Sequence, residues 1–242
     1  MFTKSLPSVF TVANLFIGIT SIIFVFNDQP QIAALLVIIA ILTDGIDGRV
    51  ARALNVQSEF GKELDSLSDV ISFGVAPAFL MYVVAFQEMN TIGWIATAIF
   101  PICGALRLAR FNVVTNDVKE HFIGLPIPAA GGIMSSLALF HEGIHPILLV
   151  IITIVLSLLM VSNVKYPSLK TVGISKYTLL VAMFLVVSVV ILVILLPEQF
   201  GGYTKYLFLP LIFYAVYGLK KNASDLIKMA LNKYKEARNN ST

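Results

Sequence analysis

Apolar runs long enough to cross a bilayer follow one another along almost all of this 242-residue chain. A hydrocarbon core of ~30 Å needs about 20 consecutive apolar residues in a helix. Eight such runs lie at roughly 9–27, 31–53, 63–87, 92–111, 128–141, 145–164, 177–197 and 204–219, the fifth being the shortest. In lipid every backbone N–H and C=O must be bonded within the protein, so runs of this kind fold as helices. With 57% hydrophobic residues and a mean hydropathy of +0.87, the composition belongs to the membrane class. The expectation is an all-α integral membrane protein of about eight transmembrane helices. It forms one membrane-embedded domain over 1–242, with a basic tail at about 220–242. No small-residue cleavage site follows the first run, so it is expected to remain as a helix.

Charge sets the orientation. With eight spans both ends of the chain lie on one side, and that side collects 16 of the 17 lysines and arginines, Lys205 being the exception. Such a bias marks the cytoplasmic face. The net charge of +3 is therefore a lining for anionic lipid headgroups and not a nucleic-acid footprint. The tail has apolar residues at helical spacing among its lysines, as either a surface helix or a solvated end would. Cys103 is the single cysteine, which excludes an intramolecular disulfide and a cysteine metal cluster.

One stretch breaks the apolar pattern. "DGIDGRVARALNVQSEFGKELDSLSD", residues 44–69, holds Asp44, Asp47, Asp65 and Asp69 in a chain with only 13% charged residues. At 100° per residue, Asp44, Asp47, Gly48, Ala51 and Arg52 fall in an arc of about 140° on the second helix. Asp65 and Asp69, four apart, share a face of the third. The short connection makes the two helices antiparallel neighbours, so four carboxylates can converge at their cytoplasmic ends. An aspartate within a membrane helix costs about 2.5–3.5 kcal/mol on insertion scales, and clustered carboxylates repel one another. Oxygen ligands without histidine or cysteine suit hard divalent cations, Mg2+ or Mn2+. Two such ions stabilise the attacking and leaving oxygens of a displacement at phosphorus. Gly48, Ala51 and Gly61 leave room for a bulky ligand, and Arg52 can fork onto a phosphate. The residues thus describe a membrane-embedded site for phosphoryl or phosphodiester transfer.

The same residues carry a resemblance. Asp44-x2-Asp47-Gly48-x2-Ala51-Arg52-x8-Gly61-x3-Asp65-x3-Asp69 is similar, position for position, to the signature of the CDP-alcohol phosphotransferases. The resemblance implies that fold. It also implies that Asp44, Asp47 and Asp65 bind two divalent metals, with Asp69 completing the site and acting as general base on the acceptor hydroxyl. Gly48, Ala51, Arg52, Gly61 and Thr11 are implied in binding a CDP-linked lipid, CMP is the leaving group, and members are usually homodimers. Where the family often has Pro-Asn near the start of the first helix, this chain has Pro7-Ser8, which leaves nucleotide contacts from Ser8, Thr11 and Asn14 open.

"CGALRLARFN" (103–112), "FIGLPIPAAGG" (122–132) and "MVSNVKYPSLK" (160–170) resemble the phosphatidylserine synthase branch. That branch implies CDP-diacylglycerol as donor and L-serine as acceptor, with glycerol 3-phosphate and inositol phosphate as the alternatives. Arg107 and Arg110, three apart, can present forks to a carboxylate, with Lys119 and Lys165 as further candidates. The competing reading makes these cations headgroup anchors. The prolines of 122–132 start a helix and its glycines allow close packing. "HEGIH" (141–145) fits the zinc-protease pattern, but Gly143 and Pro146 disfavour the single helix which that pattern needs. A divalent-cation transporter would need a polar path through "QIAALLVIIAIL" and "APAFLMYVVAF", and neither provides one.

Overall fold

The computed structural model describes residues 2–53, 58–113 and 121–167. Helix α1 (Phe2–Phe26) turns at Asp28, in the left-handed region at φ 55°, into α2 (Pro30–Ala53). Helix α3 (Glu59–Asp69) passes without a break into a π-helical segment (Val70–Val75), α4 (Ala76–Met81) and a second π segment (Tyr82–Phe86). A 3-10 turn (Gln87–Met89) reverses the chain into α5 (Asn90–Val113). Strand β1 (His121–Ile123), α6 (Ile127–Leu139), α7 (Pro146–Val161) and strand β2 (Lys165–Pro167) follow.

The first six expected spans each coincide with a helical segment, while those at 177–197 and 204–219, and the tail, lie outside the described residues. The described residues are helical as expected, apart from one short strand pair. β1 and β2 pair antiparallel, Phe122 opposite Tyr166, in two strands of only three residues. They stand where the α5–α6 connection meets the end of α7, and pairing satisfies backbone groups that no helix there can use. Two helical stretches, Ser8–Phe26 and Glu59–Val113, are long and apolar enough to cross a membrane, the second being folded back on itself at 87–89.

Burial follows each helix's faces. On α1, Thr11, Asn14, Gly18, Ser21 and Val25 are buried at three-and-four spacing. Val9, Val12, Phe16, Ile19, Ile23 and Phe26 form an exposed apolar row on the other side. Small polar groups inside and apolar groups outside is the pattern of a helix solvated by lipid. Helix α6 is central, packed against α2, α4, α7 and the first π segment, and ten of its residues are buried. The prolines do start it, with Pro126 as N-cap residue and Pro128 in the first turn.

Gly131 shows why the helices come so close. A Cβ there would lie 2.4 Å from the Phe73 carbonyl oxygen and 3.0 Å from the Phe73 Cα. Both are backbone atoms and cannot swing aside. Gly131→Ala is expected to cost about 1–3 kcal/mol through overpacking, seen as a lowered Tm in detergent. An unchanged Tm would contradict so close an approach.

Candidate active site

Asp44 sits near the end of the described side chains of α2, while Asp65 and Asp69 lie one turn apart on α3. Carboxylate oxygens of the three all lie within 4.8 Å of one another. Asp69 is buried and the other two are half-buried. Charges this close repel by about 3 kcal/mol per pair at an effective dielectric of ~20. Three carboxylates at this separation are a donor set for a hard cation, and oxygen-only ligands favour Mg2+ or Mn2+ over softer metals. Three of the four carboxylates expected to converge at the second and third helices therefore do so, and the side chain of Asp47 lies outside the described ones. Asp47, Gly48, Ala51 and Arg52 follow Asp44 in the backbone of α2 and share its stripe by helix register alone.

Helix α3 begins where its capping residue dictates. The Ser58 hydroxyl accepts a hydrogen bond from the Gly61 amide at 3.0 Å, and Glu59 places a negative charge in the first turn, where the helix dipole favours it. Gly61, expected against the CDP-lipid, is thus fixed one turn before Asp65.

Thr11 is buried on α1, and its carbonyl accepts a bond from the Ser68 hydroxyl at 3.2 Å. One turn on, the Asn14 carbonyl accepts from Ser72 at 3.0 Å. The Asn14 side chain is itself fully buried, and among the described residues neither polar atom of its amide has a hydrogen-bond partner. A buried amide in that state costs about 1–3 kcal/mol, an expense expected only where a ligand or water completes it.

The four candidate serine-binding cations differ in placement. Arg107 is buried at 5% exposure on the face of α5 that packs inward. Arg110 is clamped instead onto the end of α7, its guanidinium donating to the Val161 carbonyl at 2.9 Å, the Ser162 carbonyl at 3.1 Å and the Asn163 Oδ1 at 3.3 Å. The Val161 and Ser162 carbonyls are ones that a helix end leaves without internal partners, and a cation there also suits the dipole. Lys165 begins β2, opposite Ile123 in the strand pair, and Lys119 lies outside the described residues.

The "HEGIH" stretch has the wrong shape for zinc. His141–Gly143 is a single 3-10 turn, Ile144 is extended and His145 caps α7. The His141 Nδ1 lies 2.7 Å from the Ala138 carbonyl, and the His145 Nδ1 accepts from the Ile147 amide. No single helix face presents both rings.

Sequence reasoning missed Asn112, Ser66, Ser68 and Ser72. Asn112 donates to the Ser66 hydroxyl at 2.9 Å and to the Glu63 carboxylate at 3.4 Å, and its carbonyl accepts from the Lys62 ammonium at 3.2 Å. A signal existed, since Ser68 and Ser72 repeat the four-residue interval of Asp65 and Asp69 on a second face.

Comparison with known proteins adds independent findings. The family model for the CDP-alcohol phosphatidyltransferase domain matches residues 4–216. A CDP-diacylglycerol–serine O-phosphatidyltransferase of Helicobacter pylori is 38% identical over 239 residues, covering 96% of each chain. A protein of the same name from Bacillus subtilis is 39% identical over 165 residues, 68% of this chain and 91% of its own. An archaetidylserine synthase of Methanothermobacter thermautotrophicus is 39% identical over 176 residues, 71% of this chain and 73% of its own.

Proposed function

The chain belongs to the CDP-alcohol phosphatidyltransferase family, and from that premise we propose that it transfers the phosphatidyl group of CDP-diacylglycerol to L-serine, giving phosphatidylserine and CMP. The observation that carries this reading is the cluster of Asp44, Asp65 and Asp69 within the family's own signature. These three, with Asp47 by helix register, would hold two divalent cations, Mg2+ or Mn2+, which supply positive charge for the oxygens around the reacting phosphorus.

The remaining chemistry belongs to the chain's own residues. Asp69 takes the proton of the serine hydroxyl, and the freed oxygen attacks the diacylglycerol-linked phosphorus in line. The bond to the CMP oxygen breaks, and CMP leaves with that electron pair. No covalent enzyme intermediate is needed, because the signature holds no histidine, cysteine or serine nucleophile at its motif positions. Gly48, Ala51, Arg52, Gly61 and Thr11 receive the CDP-lipid. The buried, unsatisfied Asn14 amide beside Thr11 supports a polar donor contact there. Arg107 meets the serine carboxylate with its fork. Arg110, clamped to the end of α7, holds the segment that leads to Lys165, and Lys119 adds a further cation.

The same proposal includes eight transmembrane helices in a cell membrane, the site and both ends of the chain on the cytoplasmic side, and a homodimer in lipid. The exposed apolar row of α1 supports the lipid surroundings. Asp44, Asp65, Asp69, Lys62 and Arg110 lie toward the ends of α2, α5 and α7 and along α3, which suits one cytoplasmic face.

Product identity tests the reading. Labelled serine given to the purified protein with CDP-diacylglycerol and Mn2+ is expected to enter a chloroform-soluble aminophospholipid, with equimolar CMP. Absence of labelled lipid would refute it. Arg107→Ala is expected to raise the serine KM by about 10-fold or more, the worth of one charged hydrogen-bond pair, with the CDP-diacylglycerol KM little changed. An unchanged serine KM would return Arg107 to a packing or anchoring role.

A further inference from the structure

Helix α3 carries two polar seams, one on each side of its carboxylates. With 100° per residue, the midpoint of Asp65 and Asp69 has Ser66 about 80° to one side and Ser68 about 80° to the other. On the first side, Ser66 donates to the Lys62 carbonyl at 3.1 Å and accepts from Asn112 at 2.9 Å, tying α3 to the end of α5. Lys62 closes this seam by donating to the Asn112 carbonyl. On the second side, the fully buried Ser68 and Ser72 donate to carbonyls of α1 at Thr11 and Asn14. Here the helices nearly touch, because a Cβ on Gly18 would lie 2.4 Å from the Ser72 Oγ and 2.8 Å from its Cα.

The π segment starts at Val70, directly after Asp69, and carries the anchor Ser72 itself. Such segments are uncommon and recur at functional sites. Gly131 locks it from a third direction against the Phe73 backbone. The two seams lie on opposite sides of Asp65 and Asp69, and each fixes a different freedom. The pair of α1 carbonyls sets the height of α3, while the seam to α5 sets its rotation.

We propose that Asn112, Ser68 and Ser72 are positioning residues, which hold α3 so that Asp65 and Asp69 meet Asp44 at cation-binding distance. Carboxylate separation governs cation affinity steeply, so a small turn or slide of α3 relative to α2 would weaken cation binding. The inference rests on the reading of these aspartates as metal ligands.

The test is Mn2+ binding to the substrate-free, detergent-solubilised chain, followed by electron paramagnetic resonance. The unaltered protein, Asn112→Ala and the double variant Ser68→Ala/Ser72→Ala are compared, with Tm measured for each. Both seam variants are expected to bind Mn2+ about 10-fold more weakly, within the ~10–100-fold range for groups that orient metal ligands. Their Tm should fall only modestly, and the serine KM at saturating Mn2+ should stay within about twofold of the parent. Ser68→Thr, which keeps the hydroxyl, is expected to bind Mn2+ more tightly than the double variant. Unchanged Mn2+ affinity in folded seam variants, beside normal binding by the parent, would overturn the positioning role alone. Absence of Mn2+ binding by the parent would overturn the metal reading beneath it. Should the doubly altered core not fold, the half-buried Asn112 variant decides the matter.

Discussion

Asp69→Asn is expected to reduce turnover by about 100-fold or more while CDP-diacylglycerol still binds, the effect of losing a general base. The amide keeps the size of the carboxylate and its ability to accept a hydrogen bond, but it cannot take the serine proton. Asp69 is the most buried of the three clustered aspartates, so it has the least water to substitute for it. Single-turnover measurements with bound CDP-diacylglycerol separate the chemical step from binding. Near-normal turnover would remove Asp69 from this role and leave it a ligand only.

The second large effect is expected at the neighbouring ligand. Asp65→Asn should abolish high-affinity Mn2+ binding and lower activity by more than the ~10–100-fold seen when only an outer partner of a metal ligand is lost. Three carboxylates within 4.8 Å repel one another, and removing one charge relieves part of that repulsion. Adding Mn2+ is expected to raise the Tm of the parent and to leave that of Asp65→Asn unchanged. A cation-independent enzyme with a normal Tm response would contradict the metal assignment.

Much of the fold is legible in the amino-acid order. Hydropathy alone places six helical segments, most ends within about four residues and the start of α1 seven residues late, because in lipid an apolar run has little choice but to be helical. The aspartate spacing implies the convergence of α2 and α3, since intervals of four on one helix fix a shared face. The three-residue strands are not legible, because pairing that short depends on where α7 ends and on Gly124, which adopts φ +78° against the Met160 carbonyl. The π segments are hidden for a related reason. The first of them packs where Gly18 and Gly131 meet Ser72 and Phe73 and where Gly74 meets Pro101, close approaches between helices that no local pattern records.

Arg107 and Arg110 make the same point within the site. Their spacing of three suggests one carboxylate fork, yet Arg110 serves the end of α7, a partner about 50 residues away in sequence. Asn112 escapes sequence reasoning because a polar residue at the end of a membrane helix needs no special explanation. Its meaning appears only when α3 lies beside it, with Ser66 within hydrogen-bond reach.

The most direct test of the account is CMP release from CDP-diacylglycerol by the purified chain with Mn2+ or Mg2+, with serine, glycerol 3-phosphate and inositol phosphate offered one at a time. The account predicts fast release with serine, little with the other two, and none in Asp65→Asn. Preferential release with glycerol 3-phosphate or inositol phosphate, or equal release by Asp65→Asn, would contradict it.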